Sequence, residues 1–198
     1  MAAGHISIGN LISEAVATIR QPRDTARRML GLNLPPALLW QMLCVVVAIS
    51  VVLGQGTLMI TAGGVPFQSI LLTNPVLLAA LQITLLYVTV FAAYRIGRAM
   101  GGVGTFHQSL TLFVWLQFVM VCLQVLQTIL MFVMPVLADL VGIAGLFLFL
   151  WIMTCFVAEL HGFKSLWQVF LMIMVSAFAI AFGLSLLLAI FGLTPTGV

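Results

Sequence analysis

Apolar positions in this chain run almost unbroken over about Leu34–Leu53, Val76–Ala93, Leu110–Val133, Val136–Ala158 and Leu166–Leu193. At a rise of about 1.5 Å per residue, each run can cross about 30 Å of hydrocarbon. Helices are the expected form, because lipid leaves open strand edges unsatisfied and the runs lack the period-two alternation of a barrel strand. The pattern predicts an all-α, polytopic membrane protein with five transmembrane helices. Breakers sit between the runs: Pro35–Pro36, Gly54, Gly63–Gly64, Pro66, Asn74–Pro75, Gly101–Gly102 and Pro135. The uncharged connection Gly54–Asn74 reads as a candidate re-entrant or interfacial segment.

Before the first run the period changes. Ile8, Leu11, Ile12, Ala15, Val16 and Ile19 recur at helical spacing, with Glu14, Thr18 and Arg20 elsewhere on the wheel. That is an amphipathic interfacial helix. Pro22 interrupts it and pre-sets φ for a second short helix, Arg23–Leu30, whose arginines reach anionic headgroups while Met29 and Leu30 point into the acyl boundary. Residues 1–33 thus form a basic arm, and residues 34–198 the bundle.

Composition agrees, with 64% hydrophobic residues and a mean hydropathy of +1.30, against about 45–50% apolar residues in soluble domains. Charge then orients the chain. Arg20, Arg23, Arg27 and Arg28 precede the first span, Arg95 and Arg98 end the second, and Lys164 lies between the fourth and fifth. With five crossings all seven basic residues fall on one side, so the positive-inside bias predicts a cytoplasmic N-terminus and an external C-terminus. No basic start, short apolar core and small-residue cleavage site mark a signal peptide, which leaves the first span as the insertion signal. Cys44, Cys122 and Cys155 lie inside spans without Cys-x-x-Cys spacing and read as structural thiols.

The two loops on the basic side echo each other. Gly102-Val-Gly-Thr105-Phe-His-Gln108 and Gly162-Phe-Lys-Ser165-Leu-Trp-Gln168 share Gly-x-x-[Ser/Thr]-x-x-Gln, and each leads into a span. The last four positions predict a capping box, and the glycines free the backbone to turn. The hairpins of spans two–three and four–five read as versions of one unit. These loops gather Arg95, Arg98, His107, Glu159, His161 and Lys164, which with Arg20, Arg23, Arg27 and Arg28 form a candidate surface for anionic lipid headgroups, other membrane proteins or a second copy.

Enzymatic chemistry is not indicated. Glu159 and His161 at i,i+2 do not share a helical face, so no metal pair results, and "GGVGTF" lacks the Gly-Lys-[Ser/Thr] ending of a phosphate loop. The spans hold no carboxylate pair, His-Glu-x-x-His or nucleophile–base set, nor a mid-span ionisable residue of the kind that marks ion-coupled carriers. No cofactor and no nucleic-acid partner is expected. Gln117, Gln124 and Thr128 share one face of span three, as interhelical bridges or as a polar permeation seam. Ala177, Ala181 and Ser185, and Gly142 with Gly145, offer close packing faces.

The order of "PRDTARRML", "NLPPALLW", "RAMGGVGTFHQSL" and "AELHGFKSLWQVF", each before a span, resembles the Yip-one domain family of Ypt/Rab-interacting membrane proteins, in its bacterial branch, over roughly Leu11–Leu193. The resemblance implies five spans, a cytoplasmic N-terminus and, in eukaryotic relatives, Rab GTPase binding and membrane traffic. The arm before span one lacks their long polar region and Asp-Leu-Tyr-Gly-Pro-like element, so a Rab-type GTPase partner is implied only for a eukaryotic-like member. The expectation is a bacterial inner-membrane protein, non-enzymatic, that organises membrane or helps assemble other membrane proteins through its cytoplasmic face. The alternative is a small-molecule or lipid facilitator using the seam in span three.

Overall fold

The computed structural model of the chain describes residues 8–61 and 74–190. They form seven helices: α1 (Ile8–Arg20), α2 (Pro22–Gly31), α3 (Pro36–Thr61), α4 (Pro75–Ala99), α5 (Phe106–Val133), α6 (Pro135–His161) and α7 (Leu166–Ile190). The last five are long and apolar enough to cross a membrane. Their starts follow local chemistry. Asn74 Oδ1 accepts from the backbone N–H of Val76 and Leu77 at 2.9 and 3.2 Å with Pro75 as the first helical residue, and Thr105 with Gln108 forms a complete capping box on α5. At Ser165 the Gln168 N–H donates to the hydroxyl at 3.4 Å, which is the first half of the same device.

Gly54 does not end the first span. α3 runs through Gly54 and Gly56 to Thr61, because a glycine costs a helix only about 1 kcal/mol whereas lipid supplies no alternative partner for broken backbone bonds. The first part of the expected re-entrant segment is therefore helix, and its remainder, 62–73, lies outside the described residues, as does the tail of span five beyond Ile190.

The core sits at one end of the bundle. Ser109 to Leu116 are all buried, so the first half of α5 is enclosed on every side, by α1, α2, α3, α4 and α6. The antiparallel α6 is buried just as continuously from Ile152 to Ala158 at that end. Gly142 and Gly145 let the two helices close up: a Cβ would come within 2.7 Å of Gln127 Nε2 at the first and of Leu123 Cδ2 at the second. At the opposite end Val125, Ile129, Phe132, Val136, Leu140 and Ile143 are exposed, which bilayer hydrocarbon tolerates as well as a protein core does. The small residues of α7 differ from expectation, because Ala177, Ala181 and Ser185 are exposed and α7 rests on α6 through Val169, Met172 and Ile173 nearer its start.

The arm is docked rather than loose. On α1 the apolar set splits into two stripes: Leu11, Ala15 and Thr18 face the bundle, whereas Ile12, Val16 and Ile19 remain 40–50% exposed. On α2, Pro22, Thr25 and Ala26 are buried, and Met29 and Leu30 pack on the core instead of reaching outward, since the bundle end offers them apolar surface directly below. A buried polar contact seats α1: the Trp115 indole N–H donates to the Thr18 hydroxyl at 3.0 Å, and that hydroxyl donates to the Glu14 carbonyl at 2.8 Å. Thr18 is fully buried.

Thr18→Val keeps the volume but leaves the indole N–H without an acceptor, which should cost about 1–3 kcal/mol. We expect its thermal midpoint in detergent to fall by several degrees, and Trp115→Phe to cost less beside Thr18→Val than it does alone, because the bond it would break is already absent. Equal costs of Trp115→Phe in the two backgrounds would show that the hydrogen bond does not seat the arm.

Candidate functional site

The last turn of α6 carries Glu159 and His161, two residues apart and therefore on opposite faces. Glu159 faces α2. Arg27 donates to it in bidentate fashion, Nε to Oε1 at 2.6 Å and Nη2 to Oε2 at 3.3 Å, and the carboxylate holds the Arg27 guanidinium above the ordinary arginine pKa, first by this hydrogen bond and then by its charge. Arg23 Nη2 donates to the Phe163 carbonyl at 3.0 Å, while its buried Nε lies 3.4 Å from Glu159 Oε2, off the line of a hydrogen bond. Arg28 pairs with Glu14 at 2.9 Å and so ties α2 to α1. Of the chain's four acidic residues, two are thus spent holding the arm.

His161 faces the other way, into the α4–α5 link. Its ring is 3% exposed; Nδ1 accepts from the Gly104 N–H at 3.3 Å, which leaves Nε2 to donate to the Ala93 carbonyl at 3.1 Å. Gly97, Gly102 and Gly104 surround it so closely that a Cβ on Gly97 or Gly102 would overlap the imidazole, and one on Gly104 would lie 2.9 Å from the Leu160 carbonyl oxygen. Gly102 is therefore a glycine for close approach; the left-handed turns that the loops need are made by Gly101, at φ 88°, and Gly162, at φ 73°. The two echoing loops place these turns at different distances from their caps, four residues before Thr105 and three before Ser165.

Several of the residues expected at a binding surface are therefore structural fasteners. His161 is interior because a neutral ring satisfies two backbone groups that no solvent reaches. His107 is half-buried with Nε2 2.8 Å from the Leu34 carbonyl oxygen, fixing the entry into α3. Arg23, Arg27 and Arg28 are taken up by carboxylates. Arg27 and Arg28 stay exposed but paired, and among the described residues the exposed cations outside these ion pairs are Arg20, Arg95, Arg98 and Lys164. Glu159 was legible as an acid set among bases; Thr18 and Trp115 gave no such signal.

A second polar site lies inside the membrane span. The Gln124 amide binds Ser50 at both ends, its Oε1 accepting from the hydroxyl and its Nε2 donating to the carbonyl, each at 3.0 Å, and Gln82 Nε2 donates to the same hydroxyl at 3.4 Å. Thr128 Oγ1 donates to the Gln124 carbonyl at 2.9 Å and lies 3.5 Å from the Thr57 hydroxyl. Gln124 and Thr128 therefore join α3 to α5. Gln117 instead lines a cleft of about 440 Å³ among α3, α4, α5 and Phe149 of α6, together with Ser50, Gln82 and Gln124. Among the described residues no three His, Cys, Asp or Glu side chains group as a metal site.

A family model described as the Yip1 domain matches residues 16–187, which takes in the second half of α1 and all five long helices as far as the last turn of α7. No curated protein and no solved structure matches the chain at a significant level.

Removing the Glu159 charge should free the arm. In Glu159→Gln we expect trypsin to cut after Arg23, Arg27 and Arg28 several-fold faster than in the unaltered protein in detergent micelles; an unchanged rate would mean that apolar packing and the Arg23–Phe163 hydrogen bond hold α2 without the carboxylate. For the opposite face of the same turn, Gly97→Ala should destabilise by about 1–3 kcal/mol through overpacking and cost markedly less beside His161→Ala. Equal costs in the two backgrounds would remove the ring from the account of Gly97.

Proposed function

We propose, from the premise that this chain belongs to the Yip1 domain family, that it is a non-enzymatic integral membrane protein which organises membrane, or helps other membrane proteins assemble, at its basic end. The observation that carries this reading is the state of the arm. It is bolted to the bundle by Glu159 and Trp115, yet it leaves Ile12, Val16 and Ile19 outward beside Arg20. An amphipathic helix held in a fixed place, apolar on its free side and edged with cations, suits the interface of an anionic leaflet.

All seven basic residues belong to the arm, the end of α4 or the α6–α7 link, segments that pack around the enclosed halves of α5 and α6. This grouping supports a cytoplasmic N-terminus by the positive-inside bias, and the bacterial resemblance favours an inner membrane. Arg20, Arg95, Arg98 and Lys164 are the cations left for headgroups or a protein partner. The intramembrane cleft favours a second reading, a facilitator for lipid or a small molecule, because it gathers amide and hydroxyl groups where a simple packing seam would close.

In nanodiscs of mixed zwitterionic and anionic lipid, the protein should retain anionic lipid above its bulk fraction. Near an anionic surface each cation contributes about 1 kcal/mol, so replacing Arg20, Arg95, Arg98 and Lys164 with Gln should remove most of that enrichment. Replacing Arg23 and Arg27 should lower it less, because Glu159 already holds them. Enrichment that survives the fourfold replacement would end the lipid reading of this surface.

A further inference from the structure

We infer that the cleft among α3, α4 and α5 is a binding site for a neutral lipid carrying a free hydroxyl beside its acyl chain, of the diacylglycerol or long-chain alcohol class. The cleft lies deep in the span. Gln117 stands eleven residues into α5, about 16 Å from the basic end at about 1.5 Å per residue, near the bilayer midplane. Its amide is half-buried and lines the cleft with no partner among the described hydrogen bonds, whereas Gln124 is satisfied at both ends by Ser50. Gln82 spends one N–H on Ser50 and keeps its carbonyl oxygen for another group. At this depth no bulk water supplies the missing partners, so an occupant with a hydroxyl that both donates and accepts completes the set.

The lining also selects by charge and by shape. Among the described residues its polar groups are amides and hydroxyls, with no cation to hold a phosphate and no carboxylate to hold an amine, which points to a neutral headgroup. Leu58, Leu78, Leu81 and Leu85 wall the cleft, and Leu81 and Leu85 are more than 40% exposed, so its α4 wall lies open sideways to acyl chains. A volume of about 440 Å³ holds a headgroup and the first part of a chain, with the remainder left in the bilayer. This site deepens the facilitator reading by naming its ligand class, and as a binding site it stands apart from the basic surface.

The test uses the full chain in nanodiscs with three photoactivatable probes: a diacylglycerol, a phosphatidylcholine and a phosphatidate carrying the same reactive chain. Diacylglycerol should label peptides of α3, α4 and α5 around the cleft several-fold above the other two, be competed by unlabelled diacylglycerol, and lose most of that excess in Gln117→Leu. Equal labelling by all three probes would overturn the site, since it would then be ordinary lipid contact, and so would full labelling in Gln117→Leu. The comparison of probes on the unaltered protein does not depend on the variant's folding. Selective labelling without accelerated lipid exchange between vesicle leaflets would leave the site standing and end the facilitator reading alone.

Discussion

Everything at the basic end of this molecule hangs on the last turn of α6. Two adjacent-but-one residues point to opposite sides, and each holds a different element: Glu159 takes Arg23 and Arg27 of the arm, and His161 takes the backbone of α4 at Ala93 and of the α4–α5 link at Gly104. The chemistry differs on the two sides for a physical reason. Toward the arm there is solvent, so a charge can be kept and shared between two guanidinium groups. Toward the link the ring is enclosed, and a neutral imidazole that donates once and accepts once serves where a charge would be costly.

That turn also explains the uneven packing of the bundle. Around it the helices are drawn together, with α5 enclosed from Ser109 to Leu116, and polar groups such as Thr18 and Trp115 find each other in the interior. Farther along, the polar contacts among the described residues are few, Thr57 with Thr128 being one. The apolar ends of α5, α6 and α7 face outward because hydrocarbon and a protein interior are nearly equivalent surroundings for Leu or Phe. The cleft lies between these regimes, where glutamines and serines still require partners but the helices have begun to separate.

The candidate site was only partly legible beforehand. The concentration of cations was plain in the linear order, as was the shared face of Gln124 and Thr128. Which cations are free did not. Arg23, Arg27 and Arg28 look no different in sequence from Arg20, yet they are taken up by Glu159 and Glu14, more than a hundred residues away in the first case. His107 and His161 read as surface groups beside loops, and the fold turns them inward. Gln117 reads as equivalent to Gln124 until Ser50 on another helix selects one of them.

By itself the sequence determined the helices, their number, the membrane class and the placement of the caps, because these depend on local propensity, run length and the absence of water in hydrocarbon. Asn74, Pro75, Thr105, Pro135 and Gly162 act on residues within a few positions of themselves, and their effects are local. Tertiary structure alone decided that Gly97, Gly102 and Gly104 form a cage around one histidine, that the arm folds back onto α5 and α6, and that a polar cleft stays open beside Gln117. Those outcomes depend on which faces meet across the bundle, and apolar helices in lipid have many faces of nearly equal hydrophobicity. Only the few polar contacts and the fit of small residues distinguish one arrangement from another.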